Sequence, residues 1–234
     1  LLLDLLEVIR MSQADAAVIG TVITGAGEIA FVAGGDLAEV AAMHTVEEGR
    51  AYSRLGLELM HAIDRSRKPV VAAMNAYAVG GGSHLAMAAH ARVMARTCKD
   101  YSGKKVVANI LQHPEVSLGL FPAWGALQRL ARRIGPKAAA SLFLEPDHQG
   151  YPARLTAEEA HAPCLVEDVV EAAELRAAAG RKVRELANQP PETWHQDWET
   201  IDPRRQEEAA HLDTDREVQA WIAAHEALGR GKVA

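Results

Sequence analysis

The chain has 234 residues, 49% of them hydrophobic and 24% charged, the make-up of a soluble globular domain, alone or with an appendage. A formal net charge of −6 disfavours a general nucleic-acid binder, and the longest apolar runs are far too short to span a bilayer. Two cysteines, Cys98 and Cys164, make no disulfide framework, so a reducing, cytoplasmic setting is the expectation.

Leu2, Leu5, Leu6 and Ile9 form a helical stripe over residues 1–11. The opening Leu1-Leu-Leu-Asp-Leu-Leu6 carries an acid and no basic flank, unlike a signal peptide. The chain begins without Met and in mid-helix, so residues upstream of Leu1 are expected to be missing. Residues 16–24 are apolar and β-branched and read as a buried strand of the parallel type. Phe31-Val-Ala-Gly-Gly-Asp-Leu37 reads as a glycine-bearing turn. Thr45 with Glu48 makes a capping box for a helix to about Arg65, with Leu55, Leu59 and Ile63 inward.

The stretch that organises the chain is Lys68-Pro-Val-Val-Ala-Ala-Met-Asn-Ala-Tyr-Ala-Val-Gly-Gly-Gly-Ser-His84. Val70–Met74 reads as a buried strand, Asn75 breaks it, and the glycine triplet leads into a helix. Glycines let backbone pass close to a ligand, and the N–H groups of a helix start have no intrahelical partner. Together they make a site for developing negative charge.

Residues 92–95 form a further short strand, residues 98–105 an exposed basic loop, and residues 106–111 either a strand or a turn of helix. After Pro122 a helix is expected over residues 124–134, and Gly135-Pro136 restarts another to Leu144. Thr156 with Glu159 makes a second capping box. Residues 169–186 read as one long helix, Gln189-Pro-Pro191 breaks it, and a last helix is expected over residues 216–228. Strands alternating with helices imply an α/β sheet with a helical C-terminal part.

Four stretches in this order resemble the crotonase (enoyl-CoA hydratase/isomerase) family. They are Phe31-Val-Ala-Gly-Gly-Asp-Leu37, Lys68 through Gly82, Pro114-Glu-Val-Ser-Leu-Gly-Leu-Phe-Pro122 and Gln128-Arg-Leu130. Leu155-Thr-Ala-Glu-Glu-Ala160 and Leu165-Val166 match the segment that follows, and the likeness covers residues 16–186. It implies an α/β, crotonase-like ββα spiral over residues 1–186, with a helical C-terminal trimerisation part over residues 187–234. It also implies a homotrimer, or a dimer of trimers, acting on an acyl-CoA thioester. Coenzyme A would come as part of the substrate, with no separate cofactor and neither nucleic acid nor membrane as partner.

The resemblance places the thioester carbonyl between the backbone N–H groups of Gly35 and Gly81, with Ala33, Asp36, Leu37, Gly80 and Pro114 also at the substrate. Adding water to an enoyl thioester, or moving its double bond, builds an enolate-like oxyanion. Two fixed donors stabilise it, each worth on the order of 3 kcal/mol of barrier. Hydratases of the family carry two glutamates. Glu115 matches the one in the Pro-Glu motif, but His84 stands at the position of the other. A His–Glu pair still serves acid/base chemistry near neutral pH, with Glu115 as principal acid/base and His84 as the second; His84 also reads as a plain polar residue of a helix's first turn.

The gap between His84 and Glu115 exceeds the family pattern because of residues 98–105, and Phe121-Pro-Ala-Trp-Gly125 puts bulky Trp124 where small residues are common. Both departures are expected to reshape the acyl pocket. The leading reading is enoyl-CoA hydratase. Alternatives are a Δ3,Δ2-enoyl-CoA isomerase using Glu115 alone, another lyase, hydrolase or decarboxylase of the fold, and a non-catalytic CoA-thioester binder. No metal site is expected: His84 and His90 are six apart and share no helix face, and Glu158-x-x-His161 is a single copy on a solvated face. Lys99, Lys104 and Lys105 read as a solvated loop rather than as partners of the CoA phosphates, and neither cysteine has a nucleophile motif.

Overall fold

The computed structural model describes residues 1–145 and 153–194. Helix α1 (Leu2–Ala14) buries Leu6 and Ile9 of the expected stripe. Strand β1 (Thr21–Thr24) is shorter than the run that announces it. Its ladder starts where Thr21 stands opposite Val70, just after Pro69, which has no N–H to extend the pairing. Then come β2 (Ala30–Val32), α2 (Leu37–Ala41) and α3 (Val46–Asp64), the last opening on the predicted Thr45–Glu48 capping box. Leu59 and Ile63 of α3 are buried and Leu55 is half-buried.

The organising stretch holds two strands where one was expected, β3 (Val70–Met74) and β4 (Tyr77–Val79), and then α4 (Gly81–Ala88). β5 (Ala91–Ala95) follows, with β6 (Thr97–Lys99), β7 (Val106–Ala108) and β8 (Ile110–Gln112). The remaining elements are α5 (Ala126–Ile134), α6 (Pro136–Leu144), β9 (Arg154–Thr156), α7 (Ala157–His161), β10 (Asp168–Val170) and α8 (Leu175–Ala187). The second capping box, Thr156 with Glu159, is present at α7.

Two four-stranded sheets result. One runs β1-β3-β5-β10 with every pairing parallel. The other runs β2-β4-β8-β9, parallel except for the last pair. Every residue of β3 and β5 is buried, as expected for strands covered on both faces. Alternation sends Val70, Ala72 and Met74 into the main core with α1, α3, α4 and α5. Val71 and Ala73 face the other way, with Ala91, Val93 and Ala95, and α8 covers them.

Several expectations change. Residues 169–186 are not one helix, because Asp168–Val170 pairs with β5 before α8 begins. Helix α8 belongs to the core: Leu175, Ala178, Ala179, Val183 and Leu186 pack on the face of the first sheet. The helix predicted from Trp124 starts at Ala126, because Trp124 and Gly125 take left-handed φ values of 60° and 72°. Residues 98–105 sit in an antiparallel β6–β7 hairpin, and Cys98 is buried rather than looped out. The helix expected over 216–228 lies outside the described residues, as does most of the segment 187–234.

The second sheet and α4 meet at backbone-to-backbone range. A Cβ built on Gly82, in the first turn of α4, would stand 1.9 Å from the Val32 carbonyl oxygen at the end of β2. Backbone cannot swing aside as a side chain can. Gly82→Ala is therefore expected to destabilise the fold by about 3 kcal/mol or more, at the upper end of overpacking. Denaturant unfolding of the two proteins would measure it, and equal midpoints would contradict the contact.

Candidate active site

The parallel strands β2, β4 and β8 lie side by side, so their C-terminal ends emerge together. β2 delivers Ala33, Gly34 and Gly35; β4 delivers Gly80 and Gly81; β8 delivers Gln112, Pro114 and Glu115. All of these line one cavity of about 310 Å³, together with Leu37, Val40, Tyr52, His84 and Trp124. Binding at the carboxyl ends of parallel strands is the general rule for such sheets.

The two glycine turns are in close reach of each other. Gly34 has φ +102°, and a Cβ there would stand 3.0 Å from the Val79 oxygen and 3.5 Å from the Gly81 nitrogen. Gly80 has φ +53°, a conformation side chains avoid, and a Cβ on it would meet Glu115 Oε1 at 3.1 Å. The turn is tied to β8 by the Gly80 N–H, which donates to the Gln112 oxygen at 2.9 Å. Asp36 does not line the cavity: its carboxylate caps α2, accepting from the N–H groups of Ala38 and Glu39.

His84 and Glu115, 31 residues apart in sequence, meet inside the cavity, with Nε2 3.0 Å from Oε1. Both are buried, at 3% and 8% exposure. The contact has ion-pair distance without hydrogen-bond alignment. Burial, the largest single influence, raises the Glu115 carboxyl, but His84, and after it His113 and a backbone hydrogen bond, together hold it below the usual carboxylate range. Glu115 is thus ionised at neutral pH and ready to accept a proton.

His113 was not singled out by the sequence, yet its ring lies 5.8 Å from that of His84 and 15° from parallel to it. The available signal was the two-residue period of β8, which puts His113 on the same buried face as Leu111. Its Nε2 meets the Ser83 hydroxyl at 3.2 Å. Burial, and then the neighbouring His84, pushes it down to about 3, so it is neutral at physiological pH. The expected absence of a metal site considered only spacing along the chain. The fold brings ligand atoms of His84, His113 and Glu115 within 4.8 Å of one another.

Trp124 lines the cavity. The six-membered ring lies over Gly81, where a Cβ would be 2.5 Å from Cζ3, and the five-membered ring lies against Gly56 of α3. Arg129 fixes this loop: it donates to the Trp124 oxygen at 2.6 Å and pairs with buried Asp64 at the end of α3. None of residues 97–108 of the β6–β7 hairpin, Lys99, Lys104 and Lys105 included, is in the cavity's lining. Glu158 and His161 do not converge on a ligand, because Glu158 pairs with Arg96 and His161 Nδ1 meets the Val166 oxygen at 3.0 Å.

Comparison with known proteins finds likenesses to one family. The family model for enoyl-CoA hydratase/isomerase matches residues 1–232. A short-chain-enoyl-CoA hydratase of Clostridium acetobutylicum is 35% identical over 181 residues, 77% of this chain and 61% of that protein. A crotonyl-CoA hydratase of Syntrophomonas wolfei is 35% identical over 174 residues, 74% of this chain and 60% of that one. The chain thus spans about 60% of the length of these curated relatives. The crystal structure of an enoyl-CoA hydratase from Bacillus anthracis superposes with a TM-score of 0.72 at 27% identity, covering 95% of this chain and 80% of that one.

The buried, neutral His113 makes stability depend on pH. Its folded value of about 3 lies below the usual histidine range, so the unfolded chain binds the extra proton first. The contribution is intact above the unfolded value of about 6.5 and falls as pH drops toward the folded one. Between pH 7 and pH 5 this costs about 2 kcal/mol. Urea unfolding at the two pH values should show that loss in the native protein and a smaller one in His113→Gln.

Proposed function

The chain belongs to the enoyl-CoA hydratase/isomerase family, and from that premise we propose that it hydrates a short-chain 2-enoyl-CoA thioester. The observation that carries the reading is the 3.0 Å contact of His84 with Glu115 in a cavity walled by both glycine turns. The names of the Clostridium and Syntrophomonas relatives support the substrate class.

In this mechanism the N–H groups of Gly35 and Gly81 hold the thioester oxygen. Glu115 takes a proton from water as its oxygen bonds to the β-carbon. The electron pair of the double bond moves onto the carbonyl oxygen, where the two donors stabilise it. His84 then gives a proton to the α-carbon as the enolate collapses. The proton on Glu115 passes to His84 across their contact, and the pair is restored. Water adds as hydroxyl to one carbon and hydrogen to the other, with no net change in the protein. Ala33, Leu37, Gly80 and Pro114 wall the site, and Trp124 closes it over Gly81.

The test is hydration of crotonyl-CoA, followed at the enoyl chromophore. Glu115→Gln should lose between about 10² and 10⁴ in turnover, the range for a positioned acid/base. His84→Ala should cost roughly 10²-fold in hydration and little in 3-enoyl isomerisation, which needs one carboxylate. Unchanged hydration in His84→Ala would favour the isomerase, and an equal fall in both activities would make His84 structural.

Trp124 sets the chain length in this reading. Trp124→Ala removes the indole lying between Gly56 and Gly81 and extends the cavity. The expected outcome is a rise in kcat/KM for longer enoyl chains relative to crotonyl-CoA, about tenfold for each added methylene or two that gains contact. A parallel fall for all chain lengths would remove Trp124 from the acyl pocket.

A further inference from the structure

Around Glu115 the interior holds more unused hydrogen-bonding capacity than a folded protein ordinarily buries. Nδ1 and Nε2 of His84, Nδ1 of His113 and both carboxylate oxygens of Glu115 are five buried atoms without an aligned hydrogen bond among the described residues. Buried polar atoms are nearly always satisfied, and a cluster that is not has a partner of another kind. The substrate and its water account for Glu115 and His84, which face the cavity. They do not account for His113, which lies behind and is absent from the lining.

We propose that His84, His113 and Glu115 form a binding site for one divalent transition-metal cation of the Zn²⁺ or Co²⁺ type. The donors are two imidazole nitrogens and a carboxylate, the set that suits borderline cations. One ligand atom from each lies within 4.8 Å of the others. Zinc–nitrogen bonds of about 2.0–2.1 Å at a tetrahedral angle put two bridged imidazole centroids roughly 5 Å apart, against 5.8 Å here, so the rings close in slightly and turn on taking up the ion. Ser83 engages Nε2 of His113, which leaves Nδ1 as its ligating atom and supplies the outer hydrogen bond that ligating histidines usually have. Three protein ligands leave a fourth position, open toward the cavity.

The cation would take the lone pairs that the proposed hydration uses. Metal binding therefore stops proton transfer, and a chelator restores it. That consequence rests on the hydratase reading; the binding itself does not.

The test is titration of the metal-free protein with Co²⁺, read by its visible ligand-field bands, with Zn²⁺ in equilibrium dialysis as a second probe. One cation per chain is expected. Glu115→Gln and His113→Gln should each weaken it by more than the roughly 10–100-fold that an outer partner is worth. Removing exposed His44 should change nothing. Circular dichroism reports whether each variant folds. If His113→Gln does not, Glu115→Gln, whose side chain opens on the cavity, carries the test. Absence of the Co²⁺ bands, or binding equally tight in Glu115→Gln, overturns the proposal. Cation binding in a protein inert toward every enoyl-CoA would leave the site standing and remove only the hydratase reading.

Discussion

The site depends on one constraint, the side-by-side parallel pairing of β2, β4 and β8. Parallel strands end in the same direction, so three loops far apart in sequence open into one space. The space stays tight because glycine lets main chain touch main chain. Gly82 lies directly on the Val32 carbonyl, and Gly34 lies against Val79 and the Gly81 nitrogen. Donors carried by rigid backbone need no reorganisation when charge develops, which is the condition for stabilising an oxyanion.

Around this frame the polar groups are arranged unequally. Buried Arg92 donates to the Ala89 oxygen just past α4 and pairs with Glu167; buried Arg129 ties the Trp124 oxygen to Asp64. Those charges are compensated, and losing one partner would strand the other in low dielectric. His84, Glu115 and His113 are the contrast. They are buried too, yet the close side-chain polar contacts given for them among the described residues are the His84–Glu115 approach and the Ser83 hydroxyl. Unfilled lone pairs of this kind are what a substrate, a water or a cation can use.

Trp124 shows how a local violation is absorbed. A tryptophan at φ 60° is strained backbone, costing on the order of 1–3 kcal/mol. The compensation lies in three other places: Gly56 opens the face of α3, Gly81 opens the start of α4, and Arg129 holds the Trp124 oxygen. Tyr52 adds an aromatic contact at 5.6 Å. The indole buries a large apolar area there and narrows the cavity at the turn that carries Gly81.

The sequence by itself determined what depends on near neighbours. Capping boxes at Thr45 and Thr156, the apolar run of β3 and the helix stripe of α1 all follow from spacings of a few residues, while Glu115, Gly35 and Gly81 were singled out by the family resemblance. It misread β2 and β4 as turns because three-residue strands inside glycine-rich loops carry too little periodicity. It extended α8 over β10 because an isolated strand's sequence does not reveal its partner. Only the tertiary structure decided which strand ends meet and that His113 stands behind His84 and Glu115, whose pairing the family resemblance had already suggested and whose 3.0 Å contact the fold makes. Those are contacts between distant segments, fixed by sheet order and the burial of whole faces, and no local pattern in the chain encodes them.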